Sequence, residues 1–98
     1  MPQVAVEFHP LAADEAAAAE RWYRERSDTA AARFRRELDS AVDRIADRPE
    51  AGAPYLEDNR RVFLRRFPFF IVYRFRPPRI EVIAVAHARR RPGYWRDR

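Results

Sequence analysis

Apolar positions recur with a period of two near the N-terminus and with a helical period over the next forty residues. Large apolar side chains take every second position over residues 3–8, which predicts a short strand. Residues 11–26 are rich in Ala, Glu and Arg, which favour a helix. Ser27-Asp28-Thr29 offers side-chain oxygens to cap a second amphipathic helix that ends before Pro49. The connection is short, so we expect an antiparallel helical hairpin.

Three strand-like runs at residues 60–66, 69–76 and 79–88 follow an ordered loop at 49–59. Short proline-containing turns separate the runs, which indicates an antiparallel meander. The sequence therefore predicts an α+β fold in the order β-α-α-β-β-β. In this fold the helical hairpin packs on one face of a mostly antiparallel four-stranded sheet. We expect residues 1–98 to form one domain.

Composition excludes several kinds of chemistry. There is no cysteine, which excludes disulfides, thiolate nucleophiles and zinc–thiolate sites. No metal-ligand spacing and no Gly-rich phosphate loop is present, so we expect neither a metal nor a cofactor. The longest uncharged apolar run, Phe67–Tyr73, is too short to span a bilayer, and the N-terminus lacks a signal pattern. We therefore expect a cytoplasmic protein without a membrane partner.

Charge is distributed unevenly along the chain, and every basic residue is Arg. Residues 1–49 carry 8 Arg against 10 acidic residues, a net charge of −2. Residues 50–98 carry 12 Arg against 5 acidic residues, a net charge of +7. The basic half predicts an acidic partner, either a nucleic acid or an acidic protein segment.

Strand alternation divides the side chains of the sheet between the helix side and an open face. An apolar stripe edged with arginine on that face would be exposed to water in an isolated monomer. We expect an acidic, apolar partner segment to cover it. The alternative is that the termini or the 49–59 loop fold over it. The residues predicted to lie on the open face are Phe63, Phe70, Val72, Ile83, Val85, Arg61, Arg65, Arg74, Arg76 and His87.

The C-terminal stretch combines three consecutive arginines with two aromatic residues. Arg89, Arg90 and Arg91 directly follow the last strand and are the strongest candidates for contact with a target. Tyr94 and Trp95 either stack on a partner or hold the tail against the sheet, and the sequence leaves both readings open.

The element order and two segments of this chain resemble the RelE/ParE family of type II toxin–antitoxin toxins. The segments are the Arg-Phe-Pro-Phe-Phe-Ile-Val-Tyr run at 66–73 and the closing His-x-Arg-Arg-x-Pro-x-Tyr-Trp at 87–95. The Trp22-Tyr23 pair in the first helix and Ile45 ahead of Pro49 agree with this resemblance. It implies a small bacterial toxin, of the plasmid-stabilisation type, that a cognate acidic antitoxin neutralises.

The RelE branch of the family comprises ribosome-dependent endonucleases that cut mRNA, and the match to it is incomplete. That branch has an arginine where this chain has Phe70, and it uses lysines, of which this chain has none. The resemblance to that branch would make Arg89, His87 and Tyr94 the catalytic residues, with the ribosome and mRNA as partners.

The ParE branch resembles inhibitors of DNA gyrase that act through protein contact and need no catalytic residues. We therefore expect a ParE-like toxin that targets DNA gyrase, with a RelE-like nuclease or a non-toxic antitoxin-binding module as alternatives. The residues expected to bind the antitoxin or the target are Arg61, Phe63, Arg65, Phe70, Arg74, His87, Arg89, Arg90, Tyr94 and Trp95.

Overall fold

Two helices lie between the first and second of five strands in the computed structural model, which describes residues 4–98. The elements, in chain order, are β1 (Ala5–Phe8), α1 (Pro10–Arg24), α2 (Asp28–Asp47), β2 (Ala53–Tyr55), β3 (Asn59–Phe63), β4 (Phe69–Arg76) and β5 (Arg79–His87). The predicted α+β class is confirmed. The predicted strand number is one too low, because part of the 49–59 loop forms β2 at the edge of the sheet. Gln3, the predicted start of β1, lies outside the described residues.

The five strands form one sheet in the order β1-β5-β4-β3-β2. β1 runs parallel to β5, with Ala5 opposite Arg79, and the other three pairings are antiparallel. The long stretch of chain between β1 and β5 permits the parallel pairing, because parallel strands cannot be joined by a short turn. The mostly antiparallel sheet is therefore confirmed.

The helical hairpin begins and turns at the residues that the sequence indicated. Pro10 occupies the first turn of α1, where its missing N–H costs nothing. The Ser27 hydroxyl accepts a hydrogen bond from the Ala30 N–H at 3.1 Å and caps α2. The hairpin and one sheet face enclose the first core, whose larger buried members include Phe34, Leu38, Ile45, Leu64, Ile71, Tyr73, Ile80, Val82 and Val85.

A β-bulge in β5 reverses the predicted side-chain alternation. Val72 pairs with Ala84 and Tyr73 with Val82, which leaves Ile83 without a partner in β4. The extra residue turns Val85 towards the helices, although Val85 was predicted to lie on the open face, and turns Ala84 away from them. His87 changes sides for the same reason and packs on Phe69 of the first core.

The second sheet face is closed by the chain itself, so the predicted exposed stripe is wrong. Phe70, Val72, Ile83, Ala84 and Ala86 are buried there beneath Trp95, with Tyr55, Leu56 and Tyr94 packed around them. The tail and the 49–59 loop together form the cover, which is the alternative that the sequence left open. Both sheet faces therefore carry an apolar core, as the continuous apolar runs of β4 and β5 require.

Candidate functional site

The last eleven residues form an ordered cover over the second core, which we call the C-terminal cap (residues 88–98). Its indole, Trp95, is 2% exposed and lies 6.1 Å from the ring of Tyr55. Gly93 has a φ of +82°, a left-handed conformation that suits glycine at the turn leading into Tyr94 and Trp95. Of the two interpretations open for Trp95, the structure shows that it fastens the tail to the sheet.

Glu15 of α1 holds the C-terminal cap in place. Its carboxylate accepts hydrogen bonds from the Tyr94 hydroxyl at 2.7 Å and from Nη1 and Nη2 of Arg98 at 2.8 and 2.9 Å. The same carboxylate also accepts a hydrogen bond from the backbone N–H of Val85 at 3.0 Å. Val85 lies just beyond the bulge, where β1 no longer pairs with β5. The carbonyl of Ile83 accepts a further bond from Arg98 at 3.1 Å. One carboxylate thus joins a helix, a free strand edge and the tail.

The Tyr94 hydroxyl is already engaged in a hydrogen bond to Glu15. Tyr94 is one of the residues that the resemblance to the RelE branch assigns to nuclease catalysis. Burial and the hydrogen bond to Glu15 raise the pKa of Tyr94 far above its ordinary value. The hydrogen bond from Arg98 to Glu15 likewise raises the pKa of Arg98. A phenol that already donates to a carboxylate and resists ionisation is poorly suited to pass a proton to a substrate.

His87 and Arg89 lie next to each other where β5 ends. The backbone N–H of Arg89 donates to Nδ1 of His87 at 3.0 Å, and the imidazole edge meets the ring of Phe69 at 5.0 Å. Accepting at Nδ1 leaves Nε2 as the donor of the neutral ring. The Arg89 side chain is exposed, and within residues 4–98 it forms no ion pair.

The outer surface of the C-terminal cap is cationic. Arg89 and Arg91 are exposed, and Arg96 is exposed with Glu57 at 3.8 Å. Arg90 stacks over the Tyr94 ring at 3.7 Å and approaches Glu15 at 3.5 Å, which limits its freedom. The predicted patch at 89–91 therefore sits on a segment that is packed against the sheet.

A groove between α1 and the end of the sheet is lined mainly by aromatic side chains, and we call it the aromatic groove. It has a volume of about 390 Å³. Trp22 is 50% exposed on its rim, edge-on to Tyr23 at 5.0 Å, and the guanidinium of Arg26 lies 3.6 Å above the indole. The lining residues are Ala18, Ala19, Trp22, Tyr23, Pro68, Phe69 and His87.

The remaining predicted site residues lie on or near β3 and β4, and only some come together. Arg61 contacts Tyr55, Phe63 and the buried Phe70 on the second sheet face, a group that we call the Arg61 cluster. Arg74 is bound to Glu81 across the sheet, with Nε 2.7 Å from Oε1, so it is not free for a partner. Arg65 is exposed, and its backbone N–H donates to Glu37 at 3.1 Å.

Sequence reasoning missed Glu15 and the covering residues Tyr55 and Leu56. Glu15 lies among alanines on the first helix, where an acidic residue is ordinarily interpreted as a solvent-exposed position. No sequence signal therefore indicated that Glu15 has a structural role. Tyr55 and Leu56 belong to the segment that was expected to be a loop. Within residues 4–98, no three His, Asp or Glu side chains converge to hold a metal ion. No helix in this range is long and apolar enough to cross a membrane.

The arrangement of helices and strands is similar to that of a solved toxin–antitoxin chain, described as "Chromosomal ParDE TA system from P. aeruginosa". The two match with a TM-score of 0.74 and 17% identity, over 87% of this chain and 96% of that one. At this identity the match establishes a shared fold. The fold is therefore one that occurs in a toxin–antitoxin system.

Sequence comparison identifies the family. The model of the ParE toxin of the type II toxin–antitoxin system, parDE, matches residues 6–92, so the chain belongs to the ParE toxin family. Toxin ParE2 from two strains of Mycobacterium tuberculosis, CDC 1551 / Oshkosh and H37Rv, is 33% identical over 56 residues. That alignment covers 57% of this chain and 53% of each relative, so the chain spans about half the length of the curated relatives it matches.

Proposed function

We propose that this ParE-family chain inhibits DNA gyrase by protein contact in the cytoplasm, and that a cognate acidic antitoxin neutralises it. The observation that supports inhibition by protein contact, rather than catalysis, is that the Tyr94 hydroxyl and ring are both engaged in contacts within the protein. The hydroxyl donates to Glu15 and the ring supports Arg90, so the residue acts as part of the scaffold. The exposed Arg89 and Arg91 beside it offer charge for recognition of a partner protein.

The antitoxin fits the aromatic groove better than the closed second face. Trp22 exposes half of its surface there, and burial of a large aromatic side chain in a partner pocket is typical of residues that dominate binding energy. Arg26 above the indole places positive charge at the rim, which suits an acidic amphipathic helix. An antitoxin docked there would not need to displace the C-terminal cap.

A supercoiling assay tests the gyrase proposal. Purified protein at micromolar concentration should block supercoiling of relaxed plasmid by gyrase, and prior incubation with the antitoxin should restore it. The antitoxin for this assay is to be sought as a short reading frame next to this gene that encodes an acidic protein. Unimpaired supercoiling at that protein concentration would exclude gyrase inhibition.

The nuclease alternative predicts a different product. Translating ribosomes mixed with the protein should then yield mRNA cut at the ribosomal A site, and Arg89→Ala should abolish the cut. Tyr94→Phe gives an internal check, since it removes the hydroxyl while retaining most of the ring packing. If neither activity appears and induction leaves growth unaffected, the chain is a non-toxic antitoxin-binding module.

A further inference from the structure

Four arginines within residues 4–98 are half-buried, and three of them have hydrogen-bonding partners in this range. Arg60 donates to the Gly52 carbonyl at 2.7 Å, Arg74 to Glu81 at 2.7 Å, and Arg98 to Glu15 at 2.8 Å. Arg61 is the exception. Among residues 4–98 its guanidinium has no carboxylate within 4.0 Å and donates no hydrogen bond. A partly buried charge without a polar partner is uncommon, because losing water without compensation costs free energy.

Three aromatic rings surround the Arg61 guanidinium and explain its position. They do not accept hydrogen bonds from its N–H groups. The guanidinium carbon lies 3.9 Å from the ring centre of Tyr55, 4.9 Å from that of Phe63 and 5.2 Å from that of Phe70. Cation–π contact uses the flat face of a guanidinium, whereas its five N–H donors lie in the plane. The rings thus hold the guanidinium in place, and its N–H donors, which have no hydrogen-bond partner among residues 4–98, remain available to an anion.

An apolar contact surface lies directly beside this edge. Phe63 is two residues further along β3, on the same face of the sheet, and its side chain is 53% exposed. The pairing of β2 with β3 ends where Ala53 meets Arg61, so β2 does not extend alongside Phe63. A ligand that meets the guanidinium can therefore also cover the ring.

We propose that the Arg61 cluster is a binding site for an acidic side chain of a partner protein, next to an apolar side chain that packs on Phe63. The carboxylate accepts two parallel hydrogen bonds from the guanidinium edge. The neighbours favour a protein over a nucleic acid. Nucleic-acid affinity comes from several phosphate contacts at once, whereas the other members of the cluster, Tyr55, Phe63 and Phe70, are uncharged.

The site is separate from the surface proposed for the antitoxin. The Arg61 cluster belongs to the second sheet face, whereas the aromatic groove lies between α1 and the end of the first face. Its existence also does not depend on gyrase being the target. It can be tested on the isolated protein.

Side-chain NMR of the intact protein, labelled with ¹⁵N-arginine, measures binding at one guanidinium. The Arg61 Nε–H signal is assigned by its loss in Arg61→Lys, a variant that keeps the charge without the planar fork. The probe is the blocked peptide acetyl-Glu-Leu-amide. We expect its addition to shift the Arg61 signal saturably, with a smaller, unsaturating shift for Arg36, which is exposed on α2.

Two matched controls separate the charge from the apolar contact. The neutral acetyl-Gln-Leu-amide should bind about tenfold more weakly, since charge-assisted hydrogen bonds are the stronger ones. Phe63→Ala removes only an exposed ring, and it should weaken the acidic peptide severalfold while the folded spectrum persists. Equal shifts with the two peptides would overturn the proposal. Tighter binding of an oligothymidylate than of the acidic peptide would assign the site to nucleic acid instead.

Discussion

Arg98 donates two hydrogen bonds, of 2.8 and 2.9 Å, to the carboxylate of Glu15, a residue 83 positions earlier in the chain. The two side chains are 12% and 16% exposed, so solvent screens the ion pair little. Both groups have further partners, Ile83 for the arginine and Val85 for the carboxylate. Arg98 and Glu15 are therefore each held by more than one hydrogen bond within the network. This network explains how a C-terminal segment without helix or strand remains packed on the sheet.

Replacement of Glu15 by Ala should detach the C-terminal cap. The change leaves the Tyr94 hydroxyl and the Val85 N–H without their acceptor and leaves Arg98 with only the Ile83 carbonyl. We expect the free energy of unfolding to fall by about 1 to 3 kcal/mol. Trp95 should become accessible to solvent at the same time. Iodide quenching of its fluorescence measures this in a Trp22→Phe background, where Trp95 is the single tryptophan.

Glu20→Ala is the matched control on the same helix. Glu20 pairs with Arg24 and Arg35, whose side chains are 56% and 59% exposed, so its loss should cost only about 0.5 kcal/mol. Trp95 should stay protected in this variant. Unchanged quenching in Glu15→Ala would contradict the role assigned to Glu15 in holding the cap.

Gly52→Ala should destabilise the junction between the 49–59 segment and the sheet. The Gly52 N–H donates to the Tyr73 hydroxyl at 2.8 Å, and that hydroxyl donates to the Pro49 carbonyl at 2.8 Å. A Cβ at Gly52 would lie 2.7 Å from the same oxygen and 2.9 Å from the Arg61 carbonyl. We expect a loss of about 1 to 3 kcal/mol in urea unfolding. A variant as stable as the parent would mean that the segment can shift without losing these bonds.

Stability should decline at alkaline pH because burial raises the pKa of Tyr23, Tyr73 and Tyr94 above 10. The unfolded chain loses these phenolic protons near pH 10, whereas the folded chain keeps them to higher pH. Their contribution is therefore complete below pH 10 and declines as the pH rises towards the folded values. Urea unfolding from about pH 8 to about pH 11 measures the decline, which should be smaller in Tyr94→Phe. Equal curves for parent and variant would contradict the assignment to Tyr94.

Trp22→Ala should weaken antitoxin binding with little effect on the fold. Half of the indole is exposed in the free protein, so truncation removes mainly contact surface for a partner. We expect at least about a tenfold loss of affinity in calorimetric titration with the antitoxin. Leu11→Ala is the control, since Leu11 is also on α1 and 48% exposed but lies outside the aromatic groove. Similar losses in both variants would place the antitoxin elsewhere.

Local patterns were sufficient to predict most of the fold. The periods of two and 3.6, the cap at Ser27 and the proline turns predicted α1, α2, β4 and β5 to within about two residues. β2 was not predicted because its three residues, which include Pro54, show no alternation of apolar and polar side chains. They form a strand because they pair with β3.

The candidate site was harder to predict because its geometry depends on distant partners. An unpaired Ile83 reverses every later side chain of β5, and nothing in the apolar run of residues 82–86 marks the bulge. The same limit applies to Glu15, whose partners come from the far end of the chain. The RelE/ParE resemblance was recognisable because it rests on contiguous segments, and the match over residues 6–92 confirms the family.

Closure of the second sheet face by Trp95 makes one side chain responsible for hiding a whole apolar surface. Phe70 and Val72 lie beneath the indole. If the indole leaves its place, these side chains meet water and can contact a neighbouring copy of the chain. Loss of the indole should therefore promote aggregation as well as lower stability.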